Sequence, residues 1–355
     1  MMLLVKSLLK MIALLTSQKK YSCEDLKIKS YPMEQVRSDT YLGDVISCDG
    51  KNTKNIDSRV SKALGIISAI FDVLKHVSFG RHYFHVAILM RNMLLVNGIL
   101  TNAEVWFGIC RADIKKLEEV DKTFMRRLFR VPQSCPSEIF YLETGATPIS
   151  YIIKARRLNY LHHLVTKNEN DMLSRVFKAQ WENPIKNDWT EVVKDDLQDL
   201  GLIVDLNWIR SFSRYKFKTI IKNKVRDAAF MNLLGKKESH SKLKNLQFYQ
   251  FEMQDYLMDA RITTNQARVT FKYRTRMSNF WKNFKGNSPP QICPLCRQEN
   301  SIDSQEHSLK CETIKRSLNV DIKLTDIYDN VTPAVAKDLE RLEQYRETFL
   351  DWLRA

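Results

Sequence analysis

The sequence predicts a mainly α-helical protein: a helical bundle with a small β segment near the N-terminus and a compact cysteine- and histidine-rich module near the C-terminus. Three observations carry this. From Thr53 onward apolar residues recur at three- and four-residue steps, the helical period. Only 10 Gly and 9 Pro punctuate 355 residues, so long helices joined by short turns are expected rather than flexible linkers. The turn-rich, strand-like pattern is confined to residues 26–50.

A hydrophobic fraction of 44% is enough to bury a sizeable core, and the length suggests two or three units. The chain carries 56 Lys and Arg against 41 Asp and Glu, a formal charge of +15. That excess favours a polyanionic partner, with nucleic acid first and an anionic membrane surface second. No run approaches the roughly 18 uninterrupted apolar residues of a membrane span, so a soluble protein is expected. Seven cysteines are an odd number, and Cys23, Cys48, Cys110 and Cys135 have no framework spacing. This suits a reducing, intracellular compartment, nuclear or cytoplasmic.

Residues 1–19 place Leu4, Leu8, Ile12 and Leu15 at helical spacing, although residues 1–5 fit a buried strand equally well. Lys6 and Lys10 interrupt the run, and no cleavage site follows, which argues against a secretory signal. Residues 26–46 are broken by Pro32 and contain Tyr41-Leu42-Gly43-Asp44-Val45-Ile46 before the turn Ser47-Cys48-Asp49-Gly50, a pattern of short strands meeting at a hairpin or bend. The clearest helix follows, with Ile56, Val60, Leu64, Ile67, Phe71 and Leu74 on one face and Asn52 or Thr53 as its cap. Lys51, Lys54, Arg59 and Lys62 crowd its start, where cations oppose the helix dipole. Contact with phosphate would explain them.

A second helix over residues 83–98 is apolar almost all round and belongs at the centre of the bundle. The third, over residues 113–130, turns Ile114, Leu117, Val120, Phe124 and Leu128 inward and carries Lys115, Lys116, Lys122, Arg126, Arg127 and Arg130. Pro148 opens a fourth, which carries Lys154, Arg156 and Arg157. Further helices are expected over residues 171–181 and 188–200, with Trp181 and Trp189 anchoring the intervening turn. One basic helix is expected over residues 207–234, and one or two over residues 247–284. In the latter, Arg268, Lys272, Arg274 and Arg276 interleave with Phe271, Tyr273, Phe280 and Trp281. Such alternation suits a nucleic-acid strand with unstacked bases. It equally suits a helix with an aromatic core face and cations reaching outward.

The strongest motif lies further on. Cys293 and Cys296 form a C-x2-C turn, and His307 and Cys311 follow one helical turn apart. Paired spacing on both sides allows a tetrahedral Cys3His set around zinc. Four protein ligands leave no position for water, so a structural site is expected. Other groups offer less. Asp195-Asp196 is the only adjacent aspartate pair and reads as the exposed side of a helix. His82 and His85 read as structural histidines, and His162 and His163 point to different faces. No P-loop, nucleophile elbow, dinucleotide fingerprint or His-Glu-x-x-His motif is present.

Taken in order, Tyr41-Leu42-Gly43-Asp44, Asp49-Gly50-Lys51-Asn52, Ile56, Arg59, Leu100-Thr101-Asn102-Ala103-Glu104-Val105-Trp106 and the Cys-Cys-His-Cys knuckle resemble a non-LTR retrotransposon reverse transcriptase. The part resembled is downstream of the polymerase catalytic motif, in the type with a restriction-like endonuclease. The resemblance covers nearly the whole chain. It implies a palm remnant over residues 1–50, a helical thumb-like domain over 51–182, a basic helical linker over 183–286, the zinc knuckle over 287–320 and a helical tail over 321–355. Residues 1–7 resemble the strand after the family's paired catalytic aspartates, which would stand just before Met1. Binding of RNA or an RNA/DNA duplex without polymerisation is therefore expected, with magnesium relevant only to a complete palm. The expected contacts are Lys54, Arg59, Lys62, Lys115, Lys116, Arg126, Arg127, Arg130, Arg156, Arg157, Lys272, Arg274 and Arg276. The alternative is a zinc-containing structural or protein-interaction module with a solvated basic face.

Overall fold

The computed structural model describes residues 27–28, 31–32, 36, 38–41, 43–47, 51–76, 82–106, 109–184, 188–284, 291–329 and 331–354. The segment expected over residues 1–19 and the strand expected over residues 1–7 lie outside these. The protein is mainly helical, with two small antiparallel β ladders near the N-terminus.

Strands β1 (Lys27–Ile28) and β2 (Tyr31–Pro32) pair with each other, and β3 (Ser38–Tyr41) pairs with β4 (Asp44–Ser47) in register Tyr41↔Asp44 to Ser38↔Ser47. Only Leu42 and Gly43 lie between β3 and β4, and Gly43 has φ +89, the conformation a two-residue hairpin turn demands and glycine adopts without strain. Helix α1 follows (Thr53–His76), then α2 (Tyr83–Met90). Helix α2 continues as a π-helical segment, Arg91–Val96, and a last turn, Asn97–Ile99. Next come α3 (Arg111–Phe129), α4 (Glu138–Thr144), α5 (Ile149–Thr166), α6 (Met172–Glu182), α7 (Trp189–Asp199), α8 (Leu206–Arg210) and α9 (Arg214–Glu238). The remainder is α10 (Thr264–Thr275), α11 (Trp281–Phe284), α12 (Gln305–Ser308), α13 (Glu312–Leu318), α14 (Leu324–Tyr328) and α15 (Pro333–Arg354).

Local sequence explains several boundaries. Asp171, Asp188 and Asp205 accept backbone N–H groups at the starts of α6, α7 and α8. Thr263 and Gln266 form a reciprocal capping box on α10. The single helix expected over residues 207–234 is two, broken at Ser211–Ser213, where the α8 carbonyls are closed by local turns before α9 starts. Residues 247–262 are not helical apart from a 3-10 turn, Asp255–Leu257.

The chain divides into two compact units that interleave along the sequence. The first comprises the described parts of Met1–Ser68, Met93–Asp121 and Pro148–Ala228. Its main core is Leu158, Leu161, Val193, Leu197, Ile209, Phe217 and Ile221, with Trp181 and Trp189 packed against its edge as the sequence suggests. The second comprises Ala69–Asn92, Lys122–Thr147 and Ala229–Ala355. Its centre is a run of rings, Phe84, Phe129, Phe140 and Phe271, with Phe129 and Phe271 stacked at 3.9 Å. Stacked rings add to the area they bury. Among the described residues no helix is long and apolar enough to cross a membrane.

Candidate metal centre

Residues 291–311 form a small built loop. Ile292 and Ile302 make an antiparallel bridge, and Cys293 N–H donates to the Ser301 carbonyl at 2.6 Å while Asp303 N–H donates to that of Gln291 at 2.8 Å. Arg297 N–H closes the turn onto the Cys293 carbonyl, with Arg297 itself at φ +51. This turn carries Cys293 and Cys296. Ser304 caps α12 by accepting the His307 N–H, which fixes the direction of the histidine. Cys311 is the N-cap residue of α13. The sequence expectation of one short helix bearing both His307 and Cys311 is corrected: His307 lies in α12, and Cys311 caps the start of α13.

The four ligand atoms all lie within 4.8 Å of one another. Cys296 Sγ is 3.3 Å from His307 Nε2 and 3.3 Å from Ser301 Oγ. Burial pushes the Cys293 thiol up to about 12, and desolvation lowers the basicity of His307. Burial works to raise Cys296 as well, but the Ser301 hydroxyl and neighbouring thiols stabilise its thiolate, so its pKa falls below the ordinary value. A thiolate and neutral imidazole are the forms a metal ligates. The residues fit one metal ion.

The loop is tied to the rest of its unit. The Asp303 carboxylate accepts the Trp281 N–H at 2.9 Å and the buried Arg346 guanidinium of α15 at 2.7 Å. Glu306 pairs with Arg276 at 2.6 Å. Sequence reading missed Asp303 and Arg346, because a lone aspartate and a lone arginine 43 residues away carry no shared pattern.

The expected phosphate contacts divide by burial. Lys54, Lys62, Lys115, Arg127 and Arg130 are exposed, with Arg127 over the Phe71 ring. Lys116 pairs with Asp57, and Arg126 and Arg156 are partly buried. Arg59 is 8% exposed and held by Asp44, the Gly98 carbonyl and Asn55, above the Trp106 ring. Arg157 is buried against Asp196, and Arg274 against Glu143 and the carbonyls of Ile327 and Tyr328. Lys272 pairs with Glu343 and Arg276 with Glu306. A buried guanidinium with a carboxylate partner faces the core, so Arg59, Arg157 and Arg274 are internal ties.

Two further readings change. Asp196 lies inside the first unit between Arg157 and Lys154, not on an exposed helix face. Phe271, Tyr273 and Phe280 are fully buried, so the basic and aromatic alternation is a core face with arginine ties rather than a base-stacking platform. His162 is buried and bonded to the Phe212 carbonyl while His163 is exposed, as their different faces suggest.

One cationic segment fell outside the expected contact set. The first half of α9 presents Arg214, Lys216, Lys218, Lys222 and Lys224, all exposed, with no acidic residue in its first turn. Among the described residues, the side chains of Arg214, Lys218, Lys222 and Lys224 have no ion-pair or hydrogen-bond partner. The signal was available: no carboxylate interrupts residues 206–226.

Fold and site together define a mainly helical protein with a Cys3His cluster suited to a metal ion. Comparison of the chain with protein-family models, curated proteins and solved structures finds no match.

Proposed function

We propose that the chain is a nucleic-acid-binding protein with a structural zinc site, derived from a non-LTR retrotransposon reverse transcriptase. It grips RNA or an RNA/DNA duplex and carries out no polymerisation of its own. The observation that carries this is the row of exposed cations on α9, of which Arg214, Lys218, Lys222 and Lys224 have no partner among the described residues, in a chain of net charge +15. Nothing in folding recommends a run of exposed cations at the start of α9, where Arg214 and Lys216 in the first turn oppose its dipole. An anionic partner supplies the missing favourable interaction.

Zinc is favoured by three thiols and one imidazole, a soft set that closes a tetrahedron and leaves no place for a substrate. The derivation is supported by a meeting of residues far apart in sequence. Asp44, Arg59, Asn102 and Trp106, all within the motifs of the resemblance, form one polar knot in the first unit.

Fluorescence anisotropy with an RNA/DNA hybrid against potassium chloride tests the reading. Replacing Arg214, Lys218, Lys222 and Lys224 together by Gln should flatten the log-log salt slope by about 3, from roughly 0.7–0.9 per phosphate contact. A slope near zero in the unaltered protein would refute nucleic-acid binding. Primer extension with magnesium and nucleotides is expected to give no product.

A further inference from the structure

The first unit contains an open cleft of about 500 Å³ lined by Glu104, Arg156, Asn159, Tyr160, His162, His163, Arg214 and Lys218. We infer that this cleft is a nucleotide-binding site, with Arg156, Arg214 and Lys218 on the phosphate and the Tyr160 and His163 rings beside the sugar or base. This deepens the nucleic-acid reading and rests on it.

Four observations point the same way. The lining brings three cations from two helices, α5 and α9, to one concavity with a single carboxylate, Glu104. Arg156 is partly buried and, among the described residues, has no carboxylate within ion-pair distance. It donates to the Leu100 carbonyl and to Asn97 Oδ1, which uses two of the five guanidinium N–H groups. Burial lowers its pKa, against the opposing pull of the Glu104 charge. Those two bonds also fix the plane of the guanidinium, and a fixed fork recognises oxyanion geometry well. Arg214 and Lys218 stand one helical turn apart, have no partner among the described residues and can converge on the same anion.

Size separates a nucleotide from a bare anion. The cleft falls within the usual range of small-molecule sites, far beyond what inorganic phosphate fills. Tyr160 and His163 lie with ring centroids 6.0 Å apart and a 33° tilt, and His163 is exposed at the rim. Such faces accept a sugar or base without demanding one sequence. The shared chemistry is a phosphate monoester or diester on a nucleoside, which a free nucleotide or the end of a strand can supply.

The test is calorimetric titration of the full, zinc-replete chain with adenosine triphosphate, inorganic phosphate, and a trinucleotide with or without a 5′-phosphate. Arg214→Gln with Lys218→Gln should weaken triphosphate binding about tenfold or more, and His163→Ala several-fold. The same loss of charge by Lys75→Gln with Lys337→Gln, both exposed and outside the cleft, should leave it within about twofold. Tighter binding of the free nucleotide or of the phosphorylated trinucleotide supports the site and names its source. Equal weakening by both double variants would overturn the inference, because only diffuse charge would be at work. So would inorganic phosphate binding as tightly as the nucleotide, or no nucleotide binding at millimolar concentration. In each of those cases salt-dependent hybrid binding could persist, so failure of the cleft and failure of the broader reading are distinguishable.

Discussion

Gly145 sits at φ +63 immediately after α4, and a Cβ there would lie 2.7 Å from Glu252 Cα and 2.8 Å from its carbonyl carbon. The approach is real pairing: Thr144 bridges Met253, and Gln254 N–H donates to the Glu143 carbonyl at 2.9 Å. Backbone cannot step aside as a flexible side chain would. Gly145→Ala should therefore destabilise the second unit by about 2–4 kcal/mol through left-handed strain and displacement of residues 252–254. Urea denaturation would report it as a lower midpoint at unchanged slope. Beside it, Glu143 is fully buried with Oε1 bonded to Arg274. Removing only the cation strands a carboxylate in the core. Arg274→Met should cost about 3–5 kcal/mol, and Arg274→Met with Glu143→Leu should recover much of that, since a buried pair is often replaceable by apolar groups. Recovery of nothing in the double variant would mean that the guanidinium bonds to Ile327 and Tyr328 dominate instead. Buried arginines such as Arg59, Arg157 and Arg274 are what sequence reads least well. The letter is the same for a phosphate-binding arginine and a core tie, and the partner that decides lies 15 to 131 residues away.

At the scale of elements, helices with a sustained apolar period were legible: α1, α3 and α5 lie where their spacing puts them, and the helices expected from residues 171 and 188 start there. The break between α8 and α9 was hidden because residues 211–213 contain neither Gly nor Pro and Ile209, Phe217 and Ile221 stand at multiples of four across it, so periodicity alone cannot see the turn. The four residues of the Cys3His cluster were legible from their paired spacing, although His307 and Cys311 come from two short helices and not one. The supporting contacts were not. The Asp44 knot illustrates how such contacts respond to pH. Burial alone would raise its carboxyl, but hydrogen bonds from Asn102, Arg59 and Asn55, with the Arg59 charge, hold it below the ordinary carboxylate value. A depressed folded pKa means stability that is present above the unfolded value of about 3.9 and lost as pH falls through the folded value. Asp44→Asn should therefore lower the melting temperature at pH 7, and the deficit should shrink as the pH falls below about 4. A deficit independent of pH would assign the effect to shape rather than charge. Chelation gives the other test at this scale. Removing the metal should deprotect residues 291–318 in hydrogen exchange and, through Asp303, loosen Arg346 on α15. Exchange confined to residues 291–311 would show that the Asp303 tie survives without the metal.

For the whole molecule, the decisive quantity is the excess of 15 positive charges, and salt should act on it with opposite signs in folding and in binding. Like charges on a compact chain repel, and mobile ions screen that repulsion over about 10 Å at 0.1 M. Screening also weakens exposed ion pairs such as Lys116–Asp57, but each of these is worth at most about 1 kcal/mol. The buried pairs Arg157–Asp196 and Arg274–Glu143 are shielded from solvent ions and respond little. Net repulsion should win, so raising potassium chloride from about 50 to 500 mM should lift the melting temperature of the metal-loaded chain by a few degrees. Over the same range hybrid binding should collapse by several orders of magnitude, because ions no longer gain by leaving the nucleic acid. A single thermal-shift and anisotropy series therefore separates the two roles of charge. If the melting temperature instead fell with salt, attractive surface pairs would outweigh repulsion.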